Sequence, residues 1–425
     1  MTVKRIIYSI ILVGFALLFI TYLKLSSDTI PPHNCIIHTD TDIDAINFRN
    51  FDSVTLSATY AYKGDLLKNV LQGNNYRRSW EAKIKAPIIY LDTLYGSVEI
   101  VKEGGGKQTN SLRLRTKDSL LLALRSVNKN PNTLVPDYLK NLGLENIVMD
   151  GISGQHPYAA LVVSNLAEAI NIMHTYPRVV FLPKQESMSS YFNGKYGNKL
   201  YLLEYENKGH FNWTRYNEVF KIVDTDNLQK LKGERQHRLL IDKRKLIRAR
   251  LFDIVIGDWD RHAKQWGWVV IKNNHNYKAI PLPTDRDNAF FNVDGIVNQL
   301  ISNESITPHL RSFETDVNYI EGLVYDFDVY FLQNTTLDEF IAEARYIKTH
   351  LTNQSIERAF RAWNKEIYDL DAKSIAEKIK SRRDKLEEIA RRFKQALDKK
   401  PLLNKPLKGS DSNDTKGTAI QCFEC

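Results

Sequence analysis

The chain has 425 residues, 43% hydrophobic and 26% charged, which suits two or three globular lobes. Lys+Arg 59 against Asp+Glu 50 gives a net charge of +9 and a pI near 9.1, but the excess is spread thinly. No block alternates basic with aromatic residues, so no nucleic acid is expected as a partner.

Lys4 and Arg5 precede an uncharged apolar run over 6–23, about the length that spans a bilayer. Basic residues on its leading side put that end in the cytoplasm and everything after Lys24 outside. Segment 1–26 is therefore read as an uncleaved transmembrane anchor, with the bulk of the protein extracytoplasmic, in a periplasm or secretory lumen. The alternative is a signal segment cleaved to release a secreted protein, but no A-x-A-like cleavage site follows the run. Three cysteines are few for such a compartment. Cys422 and Cys425 can bridge to each other or to another chain, one of them can meet Cys35, or the tail can carry them without a structural job.

Residues 27–95 read as a linker with Pro31-Pro32 followed by a lead-in that packs on the first lobe, with a helix over 63–72, a strand over 87–91 and no visible chemistry. Residues 96–206 read as a β-rich small lobe. A strand over 98–102 enters Gly104-Gly105-Gly106-Lys107-Gln108-Thr109-Asn110, and a second strand over 111–115 leaves it. A hairpin whose tip lacks side chains lets backbone N–H groups approach a phosphate, although an ordinary glycine-rich turn has the same letters. It is not a P-loop, because no G-K-[ST] opens a helix. A third strand over 120–129 carries Arg125 and Lys129 where it emerges, and a cation there is how kinase-type folds hold nucleotide phosphates. A helix over 159–173 offers only Glu168, near its end, as a carboxylate partner for that cation. Two more strands, over 179–182 and 199–206, follow, the second ending in Glu204 and Glu206 where a hinge would lie.

Residues 207–400 read as mainly helical, with helices over 242–256, 337–351, 356–368 and 372–397, before a disordered tail over 401–425. The first of these is apolar nearly all round and breaks at Gly257 into Asp258-Trp259-Asp260-Arg261-His262-Ala263-Lys264-Gln265. A buried helix that delivers charged groups to a loop is a way to hold a catalytic side chain still. An extended, proline-punctuated stretch over 277–283 leads to a second acidic cluster, Thr284-Asp285-Arg286-Asp287-Asn288. Phosphoryl transfer needs a carboxylate to orient the acceptor hydroxyl and oxygen ligands for the cations that bridge phosphates. Asp260, Gln265 five residues on, and Asp285 on a following element meet that need in order. Arg261 and His262 read as braces of the loop, and Trp259, Trp266 and Trp268 as packing.

Asp258-Trp259-Asp260-Arg261-His262, with the apolar run before it, resembles the catalytic segment of secretory-pathway kinases of the Golgi casein kinase and xylosylkinase type, and more distantly HipA and the phosphatidylinositol kinases. Over 60–291 the chain is most similar to bacterial kinase-like domains, some fused to metallophosphoesterases or outer-membrane barrels, through Gly-Gly-Gly-Lys-Gln-Thr-Asn-Ser-Leu-Arg-Leu and Gly-Asp-Trp-Asp-Arg-His. The resemblance implies an α+β, atypical bilobal protein-kinase-like fold, with a β-rich small lobe and a mainly helical large lobe after one N-terminal transmembrane helix. It matches Asp260 to the catalytic Asp, Gln265 to the position five residues later, and Asp285 to the metal-binding Asp. The implied activity moves a phosphate from ATP or another nucleoside triphosphate to a hydroxyl on protein, glycan or lipid. Nucleotide would lie against Gly104, Gly105, Gly106, Gln108, Arg125, Lys129 and Glu204. Mg²⁺ or Mn²⁺ would be held by Asp285 and Gln265, with Asp287 as a rival ligand. A metallophosphoesterase or other envelope protein is the implied partner. Three features depart from the pattern: Gln265 stands where an Asn or acid is usual, Arg125 stands where Lys is usual unless Lys129 takes its place, and no small-lobe helix carboxylate is evident. They define the alternative reading, a pseudokinase or nucleotide-binding envelope scaffold, or a nucleotidyl transferase.

Overall fold

The computed structural model describes residues 8, 12–17, 19–23, 35–105, 109–297, 309–403 and 407. Its strands form three sheets. Strands β1 (Ile36–Ile37), β2 (Ser53–Ser57) and β3 (Lys83–Pro87) make a small antiparallel sheet from the lead-in. The second sheet is antiparallel with order β4-β5-β6-β8-β7, formed by β4 (Val98–Gly104), β5 (Ser111–Thr116), β6 (Leu121–Ser126), β7 (Arg178–Leu182) and β8 (Lys199–Tyr205). Period-2 alternation gives this sheet two different faces. Leu112, Leu114, Leu122, Leu124, Tyr201 and Leu203 close one apolar core, while Ser111, Arg113, Ala123, Arg125, Leu202 and Glu204 face a cleft.

The third sheet follows residue 206 and has order β10-β12-β11-β9, from β9 (Val219–Asp224), β10 (Leu239–Ile241), β11 (Trp266–Asn273) and β12 (Asn276–Pro283). The second half is mainly helical, as expected, and this four-stranded sheet is an addition to that expectation. Strand β10 is three residues long and gains its backbone partners by parallel pairing with β12, so nothing local announces it. The predicted central helix is present as Lys243–Val255, capped by Asp242, whose Oδ1 accepts from Lys245 N at 3.1 Å. Every residue from 246 to 255 is buried, Arg248, Arg250 and Asp253 included. The helix stops at Gly257, where φ is +68° and a Cβ would lie 2.5 Å from Phe313 Cδ2. Helices Leu337–His350, Lys373–Asp384 and Leu386–Asp398 pack around it.

Other boundaries move. The strand expected over 87–91 is Lys83–Pro87, and the helix over 356–368 ends at Phe360 before a separate short helix, Lys365–Ile367. The helix over 372–397 divides at Lys385, letting Leu386–Asp398 turn a separate buried face toward Leu337–His350. In the lead-in, β3 packs on β7, and Trp80 lines the cleft and donates from Nε1 to Gln155 O at 2.9 Å.

The span predicted over 6–23 lies partly outside the described residues, as do Cys422, Cys425 and nearly all of the tail. The described part, 12–17 and 19–23, is helical and carries exposed apolar side chains such as Leu12 and Phe15. Among the described residues, no helix is long and apolar enough to cross a membrane. Cys35 is a buried free thiol that donates to Asn198 O at 3.3 Å, and burial pushes its pKa up to about 12, which leaves it unreactive.

Candidate active site

The second sheet, the loop after the central helix and the segment after β12 enclose a cleft of about 880 Å³, within the range of ligand sites. Gly104 and Gly105 are among the residues that line it. Gly105 has φ +114°, and a Cβ there would fall 2.0 Å from Thr109 O, so glycine is required for the hairpin to close this tightly. Gly106 and Gln108 lie outside the described residues.

On the sheet wall, Arg125 Nη1 lies 3.3 Å from Asp285 Oδ1. Burial disfavours its charge, but Asp285, Glu204 and Glu206 more than offset this and the guanidinium stays ionised. Glu204 is buried, and its Oε2 accepts from Thr175 Oγ1 at 2.6 Å. Burial raises its pKa, opposed by Arg125. Lys129, beyond the end of β6, donates to Asp287. Both alternative cations therefore enter the cleft, each against a different aspartate. Glu168 instead pairs with His174 at 3.0 Å and Arg215 at 3.1 Å, away from the strand cations.

Across the cleft, the loop is fixed from behind by a buried ionic network. Asp253, on the central helix, contacts Arg250 at 2.9 Å, Arg261 at 3.2 Å and Arg286 at 2.7 Å. Arg261 is fully buried and also donates to Thr284 O at 2.8 Å and Gln265 O at 3.2 Å. One guanidinium thus ties both acidic segments together, as the bracing role expected of it requires. Strand pairing of Trp266 with Pro283 places Gln265 beside Asp285. Asp260 projects into the cleft between His262 Nε2, 3.4 Å from its Oδ1, and Gln265 Nε2, 3.5 Å from its Oδ2. His262 is oriented in turn by accepting from Lys264 N at 3.2 Å through Nδ1.

Asp285 has φ +54°, a conformation that costs energy for a non-glycine residue and is held here by its surroundings. Burial pushes its carboxyl pKa up, but Arg125, Lys129, Arg261 and a hydrogen bond from Gln265 outweigh that and hold it below the usual range. Asp287 goes the other way, raised by burial and by Asp285 against the pull of Lys129. Asp285 is therefore the more readily ionised carboxylate of the two. Behind them, Gln155 Nε2 donates to Asn288 Oδ1 at 2.8 Å and Tyr76 Oη to Phe290 O at 2.5 Å, which clamps the segment.

Among the described residues, no three His, Cys, Asp or Glu side chains gather closely enough to cage a metal. The donors present, Asp285 with the Gln265 amide and Asp287 nearby, are hard oxygens and include two carboxylates. Mg²⁺ is commonly bound this way, through one or two carboxylates with the rest of its shell from phosphates and water. The residues fit a divalent cation shared with phosphate oxygens.

No family model and no curated protein matches the sequence. Among solved structures, the chain is similar to the proinflammatory kinase CtkA of Helicobacter pylori, with 13% identity over 74% of this chain and 100% of that one and a TM-score of 0.37. It is also similar to the Golgi casein kinase, with 14% identity over 89% of this chain and 90% of that one and a TM-score of 0.32. Overlaps this loose place no residue, and the site stands on its own geometry.

The cleft brings together Gly104, Gly105, Arg125, Lys129, Glu204, Asp260, Gln265, Asp285 and Asp287. Sequence reasoning missed Asp253, Arg286 and Gln155, the supports behind these side chains. Asp253 left one signal, the lone acid in a largely apolar helical run that also holds Arg248 and Arg250.

Proposed function

We propose that the protein is a kinase-like phosphotransferase. The observation that carries this reading is the convergence of Asp260, Gln265 and Asp285 on one cleft that Gly104, Gly105, Arg125 and Lys129 also line. Asp260, held by His262 and Gln265, is placed to accept the hydrogen bond of an acceptor hydroxyl and orient it for attack. Arg125 and Lys129 supply positive charge for phosphate oxygens, and the hairpin backbone supplies N–H donors. Asp285 and Gln265 would hold Mg²⁺ or Mn²⁺, which neutralises phosphate charge when bound. The donor is ATP or another nucleoside triphosphate. The acceptor is a hydroxyl on protein, glycan or lipid.

The exposed apolar side chains of the helical residues 12–17 and 19–23 support membrane attachment, since side chains of that kind are rarely left in water, and Lys4 and Arg5 ahead of the run favour a catalytic region outside the cytoplasm. A metallophosphoesterase or other envelope partner follows only from the resemblance of the glycine-rich and Asp-Arg-His strings. A second reading, nucleotide binding without transfer, is favoured by the uncharged Gln265 and by the lack of a three-acid cluster among the described residues.

The test is thermal unfolding of the full chain in detergent with ATP and other nucleotides, with and without Mg²⁺ or Mn²⁺. Binding raises the unfolding temperature by mass action, and Asp285→Ala should abolish the metal-dependent rise. Asp260→Ala should keep the rise and lose transfer. A rise in wild type without transfer to any acceptor selects the second reading, and no rise at all refutes both.

A further inference from the structure

The short helix Leu66–Gln72 is turned inside out for a surface in water. Its one charged residue, Lys68, is buried, 3.3 Å from Asp150 Oδ1, while Leu66, Leu67 and Val70 are exposed, Leu66 to 83%. Surface helices ordinarily show the reverse, with the apolar stripe inward and lysine outward. The helix packs on Glu145–Gly151. Ahead of that element in the chain, Asp137–Asn141 leads into it through Leu142, Gly143 and Leu144, and Tyr138 and Leu142 are exposed there. The charges among them, Asp137 and Lys140, pair with each other at 3.3 Å. Single exposed apolar residues need no explanation, but five on the two neighbours of one helix mark a contact surface. What covers it is indicated by Tyr22, near the end of the apolar run, whose Oη donates to Leu142 O at 3.0 Å. A tyrosine in that place is typical of the membrane–water interface. The bond fastens the end of the run to the turn that exposes Leu142, so a bilayer entered by the run lies against this turn. A protein partner would cover the same leucines, but nothing would place it beside Tyr22.

We infer that Leu66, Leu67, Val70, Tyr138 and Leu142 form an interfacial patch that rests on the lipid bilayer entered by the N-terminal run. The inference rests on the membrane attachment proposed above and goes beyond it: the catalytic region does not swing on a tether but lies against the lipid surface by a defined face. Glu145–Gly151, which adjoins both helices, lends Val148 and Gly151 to the cleft, so the docked face and the cleft share a helix.

The test uses the full chain in phosphatidylcholine vesicles, with a fluorophore on one cysteine at a time and brominated phosphatidylcholine as a contact quencher. Cys422→Ser and Cys425→Ser remove the thiols of the tail, and Cys35 is buried and unreactive. The label is carried by Leu66→Cys, Val70→Cys or Tyr138→Cys on the patch, by Phe15→Cys on the apolar run, and by Thr349→Cys on the helix Leu337–His350. All five positions are exposed, so the substitutions leave the core intact. Brominated lipid should reduce emission about twofold or more at the patch positions and at Phe15, since an interfacial patch sinks to the headgroup–acyl boundary, and should leave Thr349 unchanged. Quenching at Phe15 with none at Leu66, Val70 and Tyr138 overturns the inference and leaves the attachment standing; a second copy of the chain covering the patch would give this result. Equal quenching at Thr349 and at the patch also overturns it, because the fluorophore is then seeking lipid by itself. No quenching at Phe15 overturns the attachment and the inference together.

Discussion

Asp253→Asn is the sharpest test of how the two acidic segments are held. The carboxylate is fully buried and contacts three guanidinium groups. Arg250 would keep Asp328, at 2.5 Å, and Arg261 would keep Asp258 and two backbone carbonyls. Among the described residues, Asp253 is the carboxylate that Arg286 pairs with, so the substitution strands Arg286. Burial already lowers the Arg286 pKa to about 10, which shows how poorly that site tolerates an uncompensated charge. Breaking a buried pair from one side costs about 3–5 kcal/mol, and the retained amide oxygen places this case near the lower end. With an unfolding entropy of about 2.1 cal/mol/K per residue, each kcal/mol is worth roughly 1 °C in a chain of 425 residues, so the unfolding temperature should fall by roughly 3–4 °C. Urea unfolding and calorimetry measure both quantities. Adding Arg286→Met, which can pack on Phe252 where the guanidinium now lies 4.9 Å from the ring, should restore more than about 1 kcal/mol. If Asp253→Asn unfolds within about 1 °C of wild type, the network does not hold the loop and the account of the site fails.

Gly105→Ala meets both positive φ and the Thr109 carbonyl, so it should strain the hairpin by roughly 1–3 kcal/mol. Hydrogen exchange should be faster at the amides of β4 and β5, and nucleotide affinity should fall, while the unfolding of the helical core stays unchanged. Arg125→Met should weaken nucleotide binding by roughly tenfold or more, as expected for a lost charge-assisted contact, and Arg125→Lys by less; calorimetric titration separates them. Asp258 gives a pH dependence of defined sign. Its folded-state pKa is pushed to about 8, chiefly by burial with Arg261 opposing, above the ordinary value of 3.8, so the folded chain holds a proton that the unfolded chain releases. Stability should therefore decline as pH rises from about 4 to about 8, by on the order of a few kcal/mol, and level off above that. Asp258→Asn should flatten that decline in urea titrations between pH 5 and 8.5, and an unchanged slope would assign the effect to other groups.

Strings with strong local constraints were legible in the sequence. The glycine hairpin, the alternating strands around it and the apolar helix that stops at Gly257 follow from backbone sterics and periodicity, and the structure has all three. The fixed spacing of Asp260 and Gln265, and the position of Asp285 after an extended stretch, marked three candidate residues, and all three line the cleft. The long charged helix at the C-terminal end was legible as helix but not as two, because Lys385 suits a helix interior and only packing against Leu337–His350 breaks it there.

What the tertiary structure alone decided is which charges meet. Arg125 and Lys129 were interchangeable on paper, and the fold gives Asp285 to the first and Asp287 to the second. Asp253 lies on a helix far from Arg286 in sequence, and their contact depends on how that helix crosses the third sheet. Burial, hydrogen bonding and charge pairing set the ionisation of Asp258, Asp285 and Asp287. All three depend on distances between segments that no local pattern encodes, because periodicity fixes which way a side chain faces, while only the packed fold fixes what it faces.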